Sequence, residues 1–385
     1  MKLWMRCILR QWERSGSSIF PMKLSADMKT AEMDHGKFSE DPVLTNGLFP
    51  AHGGALWRMP GFKKRVLILG TGQLAVDLCQ VIVSQNRWLV DIVGFLDGKA
   101  ERVGEPLVNP GIVGTYDQLA EVVERYHVDT IAVCLEDRRS TLPVHALLDF
   151  KAMGLDILDG HHLFEEVSGR LSIDSLRPSA LIFSTGFRRR LTSLVTKRLL
   201  DVVVSAVGLV ALIPLVLLIA ILIRVDSSGS VFYRQVRVGL RGKPYMIWKF
   251  RSMRQDAEKS GPRWAQANDP RISRVGWWLR KTRLDEIPQL VNVLRGDMSL
   301  VGPRPERPVF VQDLRTLIPY YDIRHTVRPG MTGWAQVKFR YGSSQEDSHT
   351  KLQYDLYYVK NLSLCLDVKI LTHTIRVVMS GEGAQ

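Results

Sequence analysis

The chain has 385 residues, which suits two domains better than one core. With 45% hydrophobic and 24% charged residues it is globular, which excludes an intrinsically disordered chain. The formal net charge of +13 calls for an anionic partner, but nucleic acid, anionic lipid and phosphorylated substrates all meet that demand.

Residues 1–60 hold scattered charge, Gly and Pro with no apolar stretch of export type, and read as a poorly ordered, variable tail. The next segment, 61–180, alternates strand and helix patterns. Arg65–Leu69 (RVLIL) is a short apolar run bounded by Gly70, as expected of a buried parallel strand. Helical spacing follows from Gln73 to Val83, then a strand over Val90–Leu96. Thr115-Tyr116-Asp117-Gln118 has the form of a capping box and opens a helix to about Tyr126. A strand over Thr130–Leu135, a helix over Leu142–Met153 and a strand over Leu155–Leu158 complete the series. This alternation predicts a doubly wound, Rossmann-like α/β domain. Gly70-Thr71-Gly72-Gln73-Leu74-Ala75 after the first strand, with Asp97 ending the next, has the spacing of a dinucleotide fingerprint. Gly70, Gly72 and Asp97 are therefore candidate nucleotide-binding residues, and a structural or regulatory role fits them equally well.

A different region, 186–385, follows. Residues 202–223 carry no charge over 22 positions, above the roughly 20 a spanning helix needs. Both flanks are basic: Arg188, Arg189, Arg190, Lys197 and Arg198 before, Arg224, Arg234, Arg237, Arg241 and Lys243 after. Basic residues favour the cytoplasmic side, so a straight span would place one cluster wrongly. Pro214 lies mid-run and removes a helix hydrogen bond. A Pro-broken, re-entrant helix accommodates all three facts; a straight span and a buried soluble helix are the alternatives. Trp277 and Trp278 beside Arg280, Lys281 and Arg283 suit the headgroup level, or a soluble helix with exposed arginines.

The most informative stretch is Thr282–Pro305. Asp285 and Glu286 are adjacent carboxylates, with Pro288 tolerated in a first helical turn and Leu290, Val291 and Leu294 continuing at helical spacing to Gly296. Near a helix N-terminus the dipole favours anions, which would keep Asp285 ionised and attract phosphate. Two such carboxylates near phosphate call for a hard cation, Mg²⁺, held by Asp285 and Glu286. Taken alone, such a pair more often does no more than complement the helix dipole. Lys249 and Arg251 follow an apolar strand-like run, Arg280 lies five residues before Asp285, and Pro303-Arg304-Pro305 fixes a guanidinium between rigid residues.

These residues resemble the bacterial sugar transferase family, the monotopic phosphoglycosyl transferases. The matching pieces are KRLLDVVVSAVGL from Lys197, VFYRQVRVG from Val231, KFRSM from Lys249, DPRISRVGWWLRKTRLDEIPQL from Asp269, GDMSLVGPRP from Gly296, VRPGMTGWAQV from Val327 and KLQYDLYYVKNLSLCLDVKIL from Lys351. The resemblance covers about 190–380 in order, and a preceding Rossmann-like domain is typical of larger members. It implies an enzyme that moves a sugar 1-phosphate from a UDP-sugar to undecaprenyl phosphate and releases UMP, in exopolysaccharide biosynthesis. Asp285 resembles the nucleophile that forms a phosphosugar–aspartyl intermediate, and Glu286 would hold Mg²⁺ or steer Asp285. Lys249, Arg280 and Arg304 match positions lining the phosphate site. Ile213-Pro214 falls at the break of the re-entrant helix, where some members have Ser before the proline. Larger members carry several membrane helices before the Rossmann-like domain; residues 1–60 hold no such stretch, so the chain is either a naturally short form or starts inside a longer reading frame, and anchoring within it is expected to rest mainly on 202–223 and the interfacial aromatics. The implied place is the cytoplasmic face of the bacterial inner membrane. The implied partners are UDP-sugar, undecaprenyl phosphate and membrane lipids, with no nucleic acid; a homodimer is compatible with the reading.

Two other readings compete. An NAD-dependent nucleotide-sugar epimerase would use the glycine fingerprint, and Tyr245 and Lys249 happen to fit YxxxK, but the apolar run separates the two. A catalytically dead scaffold would not need the acidic pair. The cysteines Cys7, Cys79, Cys134 and Cys365 form no CxxC pair and read as reduced, mostly core residues rather than a zinc site.

Overall fold

The structure is a computed structural model that describes residues 64–84, 90–135, 142–176, 178–184, 186–187, 190–254, 257, 269–339 and 344–380. The tail expected at 1–60, and Arg188 and Arg189, lie outside the described residues.

The apolar run at 65–69 becomes β1 (Lys64–Leu69). Successive side chains of a strand point to opposite faces. Val66 and Ile68 accordingly join one core with Leu74, Leu78, Phe95 and Phe164, while Leu67 and Leu69 join another with Leu96, Leu119, Val122 and Ile131. Both faces are covered, which is why the strand shows no polar alternation. Burying each such large apolar side chain is worth roughly 1.5–3 kcal/mol.

Five parallel strands make this sheet: β1, β2 (Val90–Asp97), β3 (Ile112–Thr115), β4 (Thr130–Val133) and β5 (Asp156–Asp159). Their order is β3-β2-β1-β4-β5, so the winding reverses between β1 and β4. Helices α1 (Gln73–Ser84) and α4 (Gly160–Ser168) supply Leu78 and Phe164 to one face. The other face is covered by α2 (Leu119–Tyr126) and α3 (Val144–Ala152), through Val122 and Leu147. The capping box at Thr115–Gln118 is present, and it caps a short 3-10 turn (Tyr116–Gln118) that leads into α2. Gly70 is required where β1 meets β4: its φ is +116°, and a Cβ there would lie 2.9 Å from the Cys134 carbonyl oxygen. Cys79 and Cys134 are free and buried; Cys365 is free and exposed.

After α4 the chain runs against the rest of the protein. The Leu171 amide donates to the Gln353 carbonyl, Trp334 Nε1 donates to the Gly169 carbonyl at 2.7 Å, and Glu165 receives both Lys360 and Asn361. A short helix, α5 (Pro178–Phe183), precedes α6 (Leu191–Asp226), which contains the whole charge-free run. The run expected to break at Pro214 is a single 36-residue helix that continues through it. An ideal helix of that length extends about 54 Å. Many of its apolar side chains are exposed, among them Val203, Val207, Val210, Ile213, Leu217 and Ile221.

Both ends of α6 are bonded to one body. Near the start, Lys197 pairs with Asp367 at 2.8 Å, Arg198 donates to the carbonyls of Val293 and Leu294, and Asp201 accepts the Leu300 amide. Near the end, Ile219 and Ile223 enter the core with Ile247, Phe250 and Leu279, and Asp226 accepts the Val275 amide. That body holds an antiparallel hairpin of β6 (Phe232–Val238) and β7 (Pro244–Phe250), then α7 (Arg274–Lys281) and α8 (Gln289–Arg295). Asn292, fully buried on α8, ties it to β7: its Oδ1 accepts the Trp248 amide and its Nδ2 donates to the Met246 carbonyl. The strands β8 (Ser299–Val301) and β9 (Gly330–Thr332) pair in parallel, followed by α10 (Trp334–Lys338), α11 (Gln345–Lys360) and α12 (Leu364–Ser380); α9 (Pro308–Leu317) lies between β8 and β9.

Candidate active site

The acidic pair sits in a 3-10 turn, Leu284–Glu286, between α7 and α8. Arg283 before it adopts φ 59°, a left-handed conformation uncommon for a non-glycine residue, and so turns the chain from the end of α7 into the acidic turn. The turn leads through Ile287 and Pro288, both helical in φ/ψ, into α8, which puts both carboxyls near a helix start as the sequence predicts. Asp285 is 8% exposed and Glu286 9%.

The cations predicted from distant parts of the chain converge here. Lys249, on β7, donates from Nζ to Glu286 Oε1 at 2.9 Å. Arg304, on the loop after β8, donates from Nη2 to that same oxygen at 2.9 Å. Arg280, half-buried in the last turn of α7, acts on Asp285 through its charge. The two carboxylates therefore differ. Glu286 is clamped by two cations, whereas no hydrogen bond to a described residue ties Asp285.

Their acidities separate for the same reason. Burial pushes the Asp285 carboxyl above the ordinary carboxylate range, and the negative Glu286 beside it adds to the rise; Lys249 pulls it back only in part. Burial acts on Glu286 too, but Arg304 and Lys249 outweigh it and hold that carboxyl well below the ordinary range. The helix start, expected to keep Asp285 ionised, is thus outweighed by burial. A nucleophile that must be ionised then loses activity as pH falls through its raised pKa. If Asp285 acts as the ionised nucleophile that the family resemblance implies, kcat/KM should show an acidic limb above the usual carboxylate range. Glu286→Gln removes the like charge and frees Lys249 and Arg304 for Asp285, so the limb should move to lower pH. A pH profile of both proteins checks this, and an unmoved limb would refute the assignment of the limb to Asp285.

Mg²⁺ fits these residues in a sparse form. Among the described residues no group of three or more His, Cys, Asp or Glu gathers, and Glu286 Oε1 is taken by two cations. Asp285 and the remaining oxygen of Glu286 are the protein ligands on offer, with water and phosphate oxygens completing the shell, the usual pattern for this ion.

The glycine fingerprint has a different fate. Asp97 Oδ1 accepts the Lys99 amide, and its Oδ2 receives Thr71 Oγ1 and Arg102 Nη1, the latter at 2.7 Å. Burial opposes its ionisation, but these three donors prevail and keep its pKa low. The carboxylate that would meet a ribose is occupied from within the fold, and the Gly72 carbonyl caps the start of α1 by accepting the amides of Ala75 and Val76. Pro214 stands far along α6 from the acidic turn in sequence, inside a continuous helix.

Sequence reasoning missed the residues behind Arg304. Arg324, 7% exposed, donates to the Arg304 carbonyl, to Tyr321 Oη and to Asp355. No local pattern distinguishes that arginine; only the fold brings it beneath the loop.

An α/β body, one helix long and apolar enough to cross a membrane, and an acidic pair on which cations gather suit a membrane-associated protein. The particular family follows from comparison. A sequence profile described as Bacterial sugar transferase matches residues 192–381. A UDP-glucose:undecaprenyl-phosphate glucose-1-phosphate transferase of Escherichia coli (strain K12) is 33% identical over 84% of this chain and 69% of that relative. This chain belongs to the bacterial sugar transferase family. A UDP-N-acetylgalactosamine-undecaprenyl-phosphate N-acetylgalactosaminephosphotransferase of Aeromonas hydrophila is 43% identical over 57% of the chain and 52% of that relative, so the chain spans about half its length. Exopolysaccharide production protein PSS of Rhizobium leguminosarum bv. phaseoli is 42% identical over 47% of the chain and 94% of that protein.

Proposed function

We propose that this protein transfers a sugar 1-phosphate from a UDP-sugar to undecaprenyl phosphate, releasing UMP, as the first membrane step of exopolysaccharide synthesis. The observation that carries the reading is the division of labour in the acidic turn: Glu286 holds Lys249 and Arg304, and Asp285 is left free beside them. In the first step a carboxylate oxygen of Asp285 attacks the sugar-bearing phosphorus. The bond from that phosphorus to the bridging oxygen breaks, and UMP leaves with the electron pair. In the second, a phosphate oxygen of the lipid carrier attacks the same phosphorus, and Asp285 departs as carboxylate. Both substrates meet one residue in turn, so kinetics are ping-pong. Arg304, Lys249 and Arg280 stabilise the equatorial oxygens during each transfer. Mg²⁺, when bound, neutralises charge on the diphosphate.

The place of the reaction is the cytoplasmic face of the bacterial inner membrane. A hydrocarbon core is about 30 Å thick, and a straight span would separate the ends of α6 across it. Because one body bonds residues 197–201 and 219–226 alike, the fold favours entry from one side, the monotopic arrangement. Trp277 and Trp278, exposed on α7 with Lys281 stacked over both, suit the same surface. Residues 61–180 form a Rossmann-like accessory domain, and 186–385 the transferase domain.

The test is direct. Purified protein is incubated with Mg²⁺, undecaprenyl phosphate and a panel of UDP-sugars, and UMP is measured. One donor should yield UMP in step with lipid-linked sugar, and UMP formation should persist at substoichiometric level without lipid. Absence of UMP with every donor would overturn the proposal.

A further inference from the structure

Arg304 reaches Glu286 from a loop whose backbone is held at four successive carbonyls. The Gly330 amide donates to Pro303 at 2.9 Å, Arg324 Nη2 to Arg304 at 2.9 Å, Arg237 Nη1 to Pro305 at 2.9 Å, and the Val238 amide to Glu306 at 2.9 Å. Two of the four donors are guanidinium groups directed at backbone, not at substrate. Arg324 is itself fixed: Nη1 donates to Tyr321 Oη at 2.6 Å, and the guanidinium pairs with Asp355, 2% exposed, at 2.7 Å. Arg237 comes from β6 and lies 3.5 Å from Glu306. The loop is thus anchored directly to three elements, β6 of the hairpin, the 3-10 turn Tyr321–Thr326 and β9, and through Arg324 and Asp355 to α11.

Burying an arginine is costly unless its donors are satisfied. Arg324 and Arg237 give terminal nitrogens to the carbonyls of adjacent loop residues, although the buried Nε of each finds no partner among the described residues, and these two bonds hold the backbone from which the Arg304 side chain leaves the loop. A guanidinium aimed at a transferring phosphoryl group must be placed to within a fraction of an ångström. We infer that Arg324, braced by Asp355 and Tyr321, is a positioning residue for Arg304, with Arg237 its counterpart at Pro305. This rests on the transfer reaction proposed above for the acidic turn.

A double-mutant cycle tests it. Arg324→Lys should lower kcat for UMP release about 10-fold with little change in donor KM, while in an Arg304→Ala background the same change should cost less than about 2-fold. Equal losses in both backgrounds would show that Arg324 does not act through Arg304 and would overturn the inference. So would an unchanged kcat in the otherwise native protein. Arg237→Lys and Tyr321→Phe carry the same cycle if Arg324→Lys fails to fold, as judged by its thermal midpoint. Hydrogen exchange supplies a readout independent of activity. The peptide over residues 299–311 should exchange faster in these variants, and that over residues 284–295 should not. Unchanged exchange at 299–311 sinks the inference whether or not the protein transfers sugar phosphate. Faster exchange in a protein that releases no UMP would count against the transfer reaction alone.

Discussion

Asp285→Asn should abolish turnover while leaving the protein folded. The asparagine has nearly the same shape but offers no carboxylate to bond phosphorus, so UMP release should fall about 10⁴-fold or more, as expected when the nucleophile of a covalent mechanism is lost. That corresponds to roughly 5 kcal/mol or more of transition-state stabilisation. Stability should move the other way. Burial and the neighbouring Glu286 already disfavour the ionised form of Asp285, so a neutral amide relieves a penalty that the native residue carries. Glu286 keeps both Lys249 and Arg304, and the cage has no reason to collapse. The measurement pairs UMP release with a thermal midpoint. A second readout uses donor labelled in its sugar, without lipid acceptor: native protein should retain label and the variant should not. Normal transfer by Asp285→Asn would remove the basis for the aspartyl intermediate.

Much of the fold was legible because its determinants are local. The run at Arg65–Leu69 and the spacing from Gln73 to Val83 specify β1 and α1 without help from distant residues. Strand β3, Ile112–Thr115, escaped notice because Pro110 and Gly111 precede it and Gly114 interrupts its apolar run, whereas the equally short β4 lies inside the unbroken apolar stretch Thr130–Leu135. Helix α4 was also missed, although Asp159 caps it by accepting the His161 amide, and Leu163 and Phe164 face the core. Helix α6 runs on through Pro214: a proline removes one hydrogen bond from a helix interior, but the core contacts of Ile219 and Ile223 continue beyond it. The site was legible as a list of residues and not as an arrangement. Lys249, Arg280 and Arg304 come from three separate segments, and nothing in their order indicates that two of them converge on one oxygen of Glu286. The same limit hid the closure of Asp97 by Arg102, five residues away but on a separate turn.

Arg304→Ala should lower kcat about 10²- to 10³-fold, the range seen when one preorganised donor to a developing charge is removed. The loss of stability should be moderate, on the order of 1–3 kcal/mol, because the Arg304 side chain is 34% exposed and the buried Glu286 keeps Lys249 as a partner. The loop should hold its course, since the four donors that fix it bond to backbone and not to the Arg304 side chain. Loss of turnover without loss of fold is therefore the expected signature. Two secondary effects follow from the geometry. Glu286 would keep Lys249 as a partner but lose one of its two cations, so its carboxyl should rise from its depressed position. Arg304→Lys should restore part of the rate, because it returns the charge without the planar fork that can hold two phosphate oxygens together. Steady-state kcat and donor KM for the three proteins, beside their thermal midpoints, decide the matter. A change confined to KM would make Arg304 a ground-state binding group, and equal rates for Ala and Lys would show that its charge is not used in the transfer.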